Sequence, residues 1–200
     1  MDQVLRIGLP VYFAAFFGIA FFWRSYVVWK ETGINPYVLG RSGSAYDFLG
    51  FAYRVTLAMN FAAIICYSLV PQFYEYVAPI EWLEILPLQV FGLFLLFATL
   101  IWIAIAQKQM GGSWRVGIDK KNETALVHKG LFTVSRNPIF FGMRIAVVGF
   151  FLAIPNALTF CSMILADMLM QIQVRLEEEY LEKLHGETYL EYKQKVRRWI

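Results

Sequence analysis

The chain is 200 residues long, 58% hydrophobic and only 16% charged, which excludes an ordinary soluble domain, where apolar residues make up nearer ~45–50%. A net charge of +3 needs no nucleic-acid partner, and with two cysteines and two histidines a metal site is not expected. The composition implies a bilayer as solvent and an all-α polytopic membrane protein of about five transmembrane helices, with a cytoplasmic helical extension at its C-terminus.

The first apolar run, Ile7 to Trp23, tolerates Pro10 in its opening turns and has no small-residue cleavage site behind it, so it reads as a retained helix. Thr32 to Ser44 is rich in Gly and Ser and reads either as a connector or as a flap over a pocket. A second run, Phe48 to Val70, carries Arg54 and Asn60, polar groups expected to face the bundle interior. Glu75, Glu81 and Glu84 decorate the following loop and imply contact with water. Ile85 to Ala106 has no charge at all and is the clearest span. These three helices make up residues 1–106 of a single membrane domain, and 107–200 holds the part expected to act.

From Gln107 a polar loop of about thirty residues opens, too long for a simple connection and therefore read as functional. Trp114 within it is either an interfacial anchor or a pocket wall. Two shorter apolar helices follow, Ile139 to Ala153 and Ala157 to Ile172, with a turn at Pro155-Asn156. Arg144 and Asp167 lie at similar distances from that turn, so an antiparallel hairpin pairs them. The last of these helices is expected to run unbroken into the tail, with Asp167, Gln171, Arg175 and Glu178 on one stripe. Gly186 then reads as a cap, followed by a final amphipathic helix with Tyr189, Tyr192, Val196 and Trp199 on one face.

The 18 lysines and arginines avoid Pro71 to Glu84 and Ala153 to Asn156 altogether. Alternating helices then put the N-terminus outside and the basic loops and the C-terminus in the cytoplasm.

Chemistry concentrates in Leu126-Val127-His128-Lys129-Gly130-Leu131-Phe132, Arg136-Asn137-Pro138-Ile139-Phe140-Phe141-Gly142, and the later Glu177-Glu178-Glu179. Backbone amides at the start of the helix after Asn137 suit an anionic group. Arg136 can pair with a carboxylate or simply snorkel to the interface.

These segments, with Gly186-Glu187-Thr188-Tyr189-Leu190-Glu191-Tyr192, resemble the motif of the integral-membrane methyltransferases of the isoprenylcysteine carboxyl methyltransferase and phospholipid methyltransferase group. The resemblance implies a cytoplasmic pocket for S-adenosyl-L-methionine (SAM) and a lipid or lipid-modified acceptor. Carried over by position, cofactor contacts fall on Thr124, Ala125, Leu126, Val127, Phe132, Asn137, Pro138, Ile139, Phe140, Glu177 and Glu178. Arg136 is the implied catalytic arginine of the turn. A substrate-facing arginine expected four residues before the first Glu falls on Gln173, with Arg175 the nearest candidate. Asn137 stands where the prenylcysteine enzymes usually have His, and Phe132 and Phe140 where Tyr is common. Two other readings compete: an NADPH-dependent membrane reductase of the sterol-reductase type, against which the short chain and intact Glu pair argue, and a non-catalytic membrane scaffold.

Overall fold

A computed structural model describes residues 2–38, 45–119 and 121–200, with only the backbone of 45 and 46. The flap or connector expected at Thr32 to Ser44 therefore lies partly outside the described residues. Among the described residues seven α-helices form: α1 (Asp2–Phe16), α2 (Arg24–Thr32), α3 (Ala45–Ile64), α4 (Leu86–Met110), α5 (Pro138–Ala153), α6 (Ala157–His185) and α7 (Glu187–Lys195). A π-helical stretch, Phe17–Trp23, joins α1 to α2 without a break. Inside it the Ala20 carbonyl accepts a hydrogen bond from the buried Gln107 side chain of α4 at 2.8 Å.

Among the described residues four helices are long and apolar enough to cross a membrane: Asp2–Thr32, Asp47–Leu69, Leu86–Ser113 and Ala157–His185. The expected fifth, α5, has 16 residues, which at 1.5 Å per residue gives about 24 Å. Their outward faces carry large apolar side chains such as Phe22, Phe94, Ile101 and Met168. Apolar residues on the outside as well as the inside are what a lipid environment requires. The chain is an all-α integral membrane protein.

Leu5, Leu9, Tyr12, Ala63, Ile64, Leu96, Leu100, Phe150 and Ile154 belong to the main interior cluster, drawn from α1, α3, α4 and the α5 end. Helices α4 and α5 meet backbone to backbone. A Cβ on Gly92 would stand 2.6 Å from both the Ala153 nitrogen and the Gly149 oxygen, and one on Gly149 would stand 2.9 Å from the Gly92 oxygen. Gly142 is held to the same rule, since a Cβ there would lie 2.7 Å from Ile103. Small residues permit this approach in the absence of a hydrophobic driving force between helices. Gly142 in the motif is thus a packing residue.

The hairpin turn forms at Pro155 and Asn156. The Asn156 carboxamide accepts from the Thr159 amide at 2.9 Å, and the Thr159 hydroxyl accepts from the Asn156 amide at 3.2 Å, a reciprocal cap that starts α6. The loop after α3 closes over this turn, with the Ile80 amide donating to Pro155 at 2.9 Å and the Ala157 amide to Ala78 at 3.0 Å. At the opposite end the 34–38 segment meets the 114–118 segment, the Val116 amide donating to Pro36 at 2.8 Å. Arg24 donates to the Gly111 carbonyl there. The loops poor in Lys and Arg therefore share one end of the bundle and the basic loops share the other.

Several expectations hold. Arg144 pairs with Asp167 across the hairpin, and α6 runs without interruption to His185, where Gly186 caps it with φ +53°. Asn60 is buried and accepts from the Ser162 hydroxyl at 2.5 Å. Arg54, by contrast, is exposed and not interior; its long stem lets the charged end reach outward from the helix surface. Glu84 does more than meet water, accepting from the Tyr74 hydroxyl at 2.8 Å. Trp114 is buried, with 4% of its surface exposed, so it is no exposed anchor. Val196 and Trp199 do not continue the last helix: α7 ends at Lys195 and Val196 is extended. The chain unwinds there because the carbonyls of Val196, Arg197 and Arg198 accept hydrogen bonds from Arg136 and Ser135.

Candidate active site

Three segments converge at the basic end: the loop after α4, the turn that opens α5, and the end of α6 with the tail behind it. Pro138 takes the first position of α5, where the missing N–H would have had no helical partner anyway. This places Arg136 and Asn137 just ahead of the helix, facing Glu178.

Glu178 is the hub. Arg136 Nη2 donates to its two carboxylate oxygens at 3.1 and 3.2 Å, and Asn137 Nδ2 donates to Oε1 at 2.9 Å. Arg198 adds two more donations to Oε2, at 3.0 and 2.9 Å. The Arg136 and Glu178 side chains are only 8% and 5% exposed, so this is a buried pair in which every partner matters. The Glu178 carboxylate, through these hydrogen bonds, holds the Arg198 guanidinium above its ordinary range.

The tail is fastened by its backbone as well. The Arg136 amide donates to the Arg197 carbonyl at 2.9 Å, and the Ser135 hydroxyl to the Arg198 carbonyl at 3.0 Å. Trp199 lies against the Arg144 guanidinium, 4.6 Å from ring centroid to Cζ. Tyr192 donates its hydroxyl to the Phe132 carbonyl at 2.6 Å, and burial pushes that hydroxyl up to about 12.

A cleft of about 430 Å³ opens between the end of α4 and the strip Ala125 to Lys129. Gln109 forms part of its wall and also accepts from the Leu131 amide at 2.7 Å. That contact explains Gly130, whose φ is +64° and whose added Cβ would stand 2.5 Å from the Gln109 carboxamide. The Ser113 hydroxyl donates to the Ala125 carbonyl at 3.1 Å. Further out, Asp119 fixes the loop by accepting from Arg115, from the Asn122 side chain and from the amides of Lys121 and Asn122. Burial pushes the Asp119 carboxyl up, but these donors together outweigh it and leave the group below its ordinary 3.8. Tyr180 of α6 reaches the Asp119 carbonyl at 2.8 Å, tying loop to helix.

The sequence-derived residues fall into distinct places. Ala125, Leu126 and Val127 line the cleft, with Thr124 half-buried next to them. Arg136, Asn137 and Glu178 form the network. Phe132 and Pro138 are buried, the Pro138 carbonyl taking the Trp102 indole N–H at 2.8 Å, and Ile139 and Phe140 are half-buried in the first turn of α5. Glu177 points away from Glu178 and accepts from Gln173 at 2.6 Å. Arg175 is exposed and bonds back to Gln171 on its own helix. Sequence reasoning passed over Arg198, Gln109 and Asp119. Only Asp119 had a local signal, an Asp followed two and three residues later by amides it can accept.

A family model for phospholipid methyltransferases matches residues 88–188, just over half the chain, taking in the Leu126 to Gly142 segments and the Glu177-Glu178-Glu179 run and ending inside the Gly186 to Tyr192 segment. The chain belongs to the phospholipid methyltransferase family. It is also 33% identical over 63 residues to an uncharacterized protein of Haemophilus influenzae, a match covering 31% of this chain and 100% of that protein. Membership makes it a membrane methyltransferase. The matched region begins inside α4, so the α1 to α3 half of this phospholipid methyltransferase family member lies outside it.

Proposed function

We propose that the protein is a SAM-dependent methyltransferase acting on a membrane-embedded, phospholipid-like acceptor, with its active centre and C-terminus on the cytoplasmic side. The observation that carries this reading is the direct joining of Arg136 and Asn137 to Glu178, at the end of the same loop whose earlier part, Ala125 to Val127, lines the cleft. The cleft volume falls within the range of about 300–1,000 Å³ usual for small-ligand sites. Its apolar strip suits a purine, and the oxygens of Gln109 and Ser113 give polar groups at its edge. Thr124 and the first turn of α5 complete the set that would hold the cofactor, with Glu177 available to its charged end.

Bound SAM supplies an activated methyl on a sulfonium. The chain's own contribution is positional: the apolar cleft excludes water, and the Glu178 network keeps the α5 turn and α6 in fixed register, so that little acid-base chemistry is demanded. Arg136 acts by holding that register. A phospholipid-like acceptor is favoured over a prenylcysteine by the family description and by Gln173 in place of an arginine that would pair a carboxylate. The basic end is assigned to the cytoplasm on the distribution of Lys and Arg.

The test is incubation of the purified protein with methyl-tritiated SAM and membrane lipid extract, followed by identification of the tritiated product. Label in a lipid is expected. No label transfer, together with no SAM binding by calorimetry, overturns the reading.

A further inference from the structure

The ion pair that crosses the α5–α6 hairpin is not closed on itself. Arg144 Nε donates to Asp167 Oδ1, and among the described residues this is the only hydrogen bond that either side chain makes. A guanidinium carries five N–H donors and a carboxylate two oxygens, so the Nη hydrogens and Asp167 Oδ2 have no protein partner. Both side chains reach the surface, at 28% and 40% exposed. The Trp199 ring lies against the guanidinium and offers it no oxygen.

The pair stands on a face turned toward lipid. Val148, one turn along α5 from Arg144, is exposed, and so is Ile164, one turn before Asp167 on α6. A further turn toward the hairpin bend, Phe151 of α5 meets the exposed Phe160 of α6, with ring centroids 5.5 Å apart. An apolar strip therefore runs from the bend up to the two charges. Arg144 lies six residues inside the start of α5, about 9 Å along the helix. Its Cβ leans toward the helix N-terminus, so the long stem carries the charge toward the basic end. Trp199 suits that depth, because indole collects where head groups meet hydrocarbon.

A clamp that only tied α5 to α6 would have no use for spare donors, and unpaired polar groups at membrane depth are costly. An anionic head would satisfy the Nη edge but meet the Asp167 carboxylate. A lone cation would meet Arg144. A zwitterionic head answers both charges together, its phosphodiester taking two N–H of the planar fork and its ammonium taking Asp167 Oδ2. We infer that Arg144 and Asp167 form a seat for a zwitterionic phospholipid head, with the acyl chains lying along Val148, Phe151, Phe160 and Ile164. The seat goes beyond the methyltransferase reading, since neither charged residue belongs to the set assigned to the cofactor.

The test measures binding of three short-chain lipids to the detergent-solubilised full-length protein: phosphatidylethanolamine, phosphatidylglycerol and the matching diacylglycerol, which has no charged head. The parent is expected to bind phosphatidylethanolamine most tightly. Loss of one charge-assisted hydrogen bond corresponds to about tenfold to hundredfold in affinity. Asp167→Asn should lose that factor for phosphatidylethanolamine and gain affinity for phosphatidylglycerol, inverting the order of the two. Arg144→Gln should bring both down to the diacylglycerol level. Thermal unfolding checks that each variant folds. A purely structural pair would lower stability and leave the order of the lipids alone, so a folded Asp167→Asn with the parent's order overturns the seat. A parent that does not prefer phosphatidylethanolamine to diacylglycerol overturns it as well, and that comparison needs no variant. SAM binding by the same parent tests the methyltransferase reading separately.

Discussion

Glu177 and Glu178 are neighbours in the chain with opposite surroundings: Glu178 is gripped by Arg136, Arg198 and Asn137, whereas Glu177 receives only the Gln173 amide. Successive residues on a helix point about 100° apart, so one faces the α5 turn and the tail and the other faces α3. Neutralising Glu178 strands two guanidiniums around a site that was built for an anion. Glu178→Gln is expected to destabilise the fold by roughly 3–5 kcal/mol and to release the tail, read as faster hydrogen exchange over residues 193–199. Arg198→Ala should cost less, on the order of 1 kcal/mol, because the Arg198 side chain is 30% exposed. Equal exchange in all three proteins would disprove the role given to the hub.

The α4–α5 contact makes an equally definite forecast. A methyl at Gly92 meets backbone at 2.6 Å, and backbone cannot swing aside as a side chain can. Gly92→Ala should cost about 1–3 kcal/mol and lower the melting temperature in detergent. Gly8→Ala, where nothing lies within 4 Å of the added carbon, should leave it unchanged and serves as the control.

Arg144 and Asp167 should behave as a unit. Either Arg144→Leu or Asp167→Leu leaves a lone charge on a membrane helix, expected to cost roughly 2–3 kcal/mol. The double replacement removes both charges and should be milder than either single change. Additive losses in the double-mutant cycle would mean that the two side chains do not depend on one another. Trp199→Ala should weaken Arg144 more gently, by about 0.5–1 kcal/mol.

Acid should loosen the cleft loop before it loosens the helices. Asp119 has a folded-state pKa below 3.8, net of burial that opposes the shift. Its stabilising effect is therefore complete above its unfolded value and disappears as pH falls through the lower folded one. Below about pH 4, hydrogen exchange of residues 114–126 should rise ahead of α4 and α6. Asp119→Asn should exchange fast at neutral pH already and show no such step.

Much of the architecture was legible because it depends on what surrounds each residue on average. Long apolar runs located the spans, Pro155-Asn156 located the turn, and the expense of an isolated charge in lipid paired Arg144 with Asp167. The site was legible in part. The motif spacing singled out Arg136, Asn137 and Glu178, which do meet, but periodicity alone could not show that Glu177 would turn toward α3. Arg198 on Glu178 was hidden because the tail is docked through its own carbonyls, and a carbonyl is common to every residue. Arg54 was misplaced inward because a flexible cation has a second solution, reaching to the surface, that a rule about burial overlooks.

The length of α6 has a mechanical corollary. Between Asn156, locked to the loop at the far end, and Glu178 the helix is an unbroken arm of about 33 Å, so pivoting it by about 3° carries its tip through about 1.7 Å. Bilayers of different thickness impose tilts of that order on spanning helices. Because α3 and α5 both pack against the arm, such a swing changes how its tip, with Glu178, sits against the turn that opens α5.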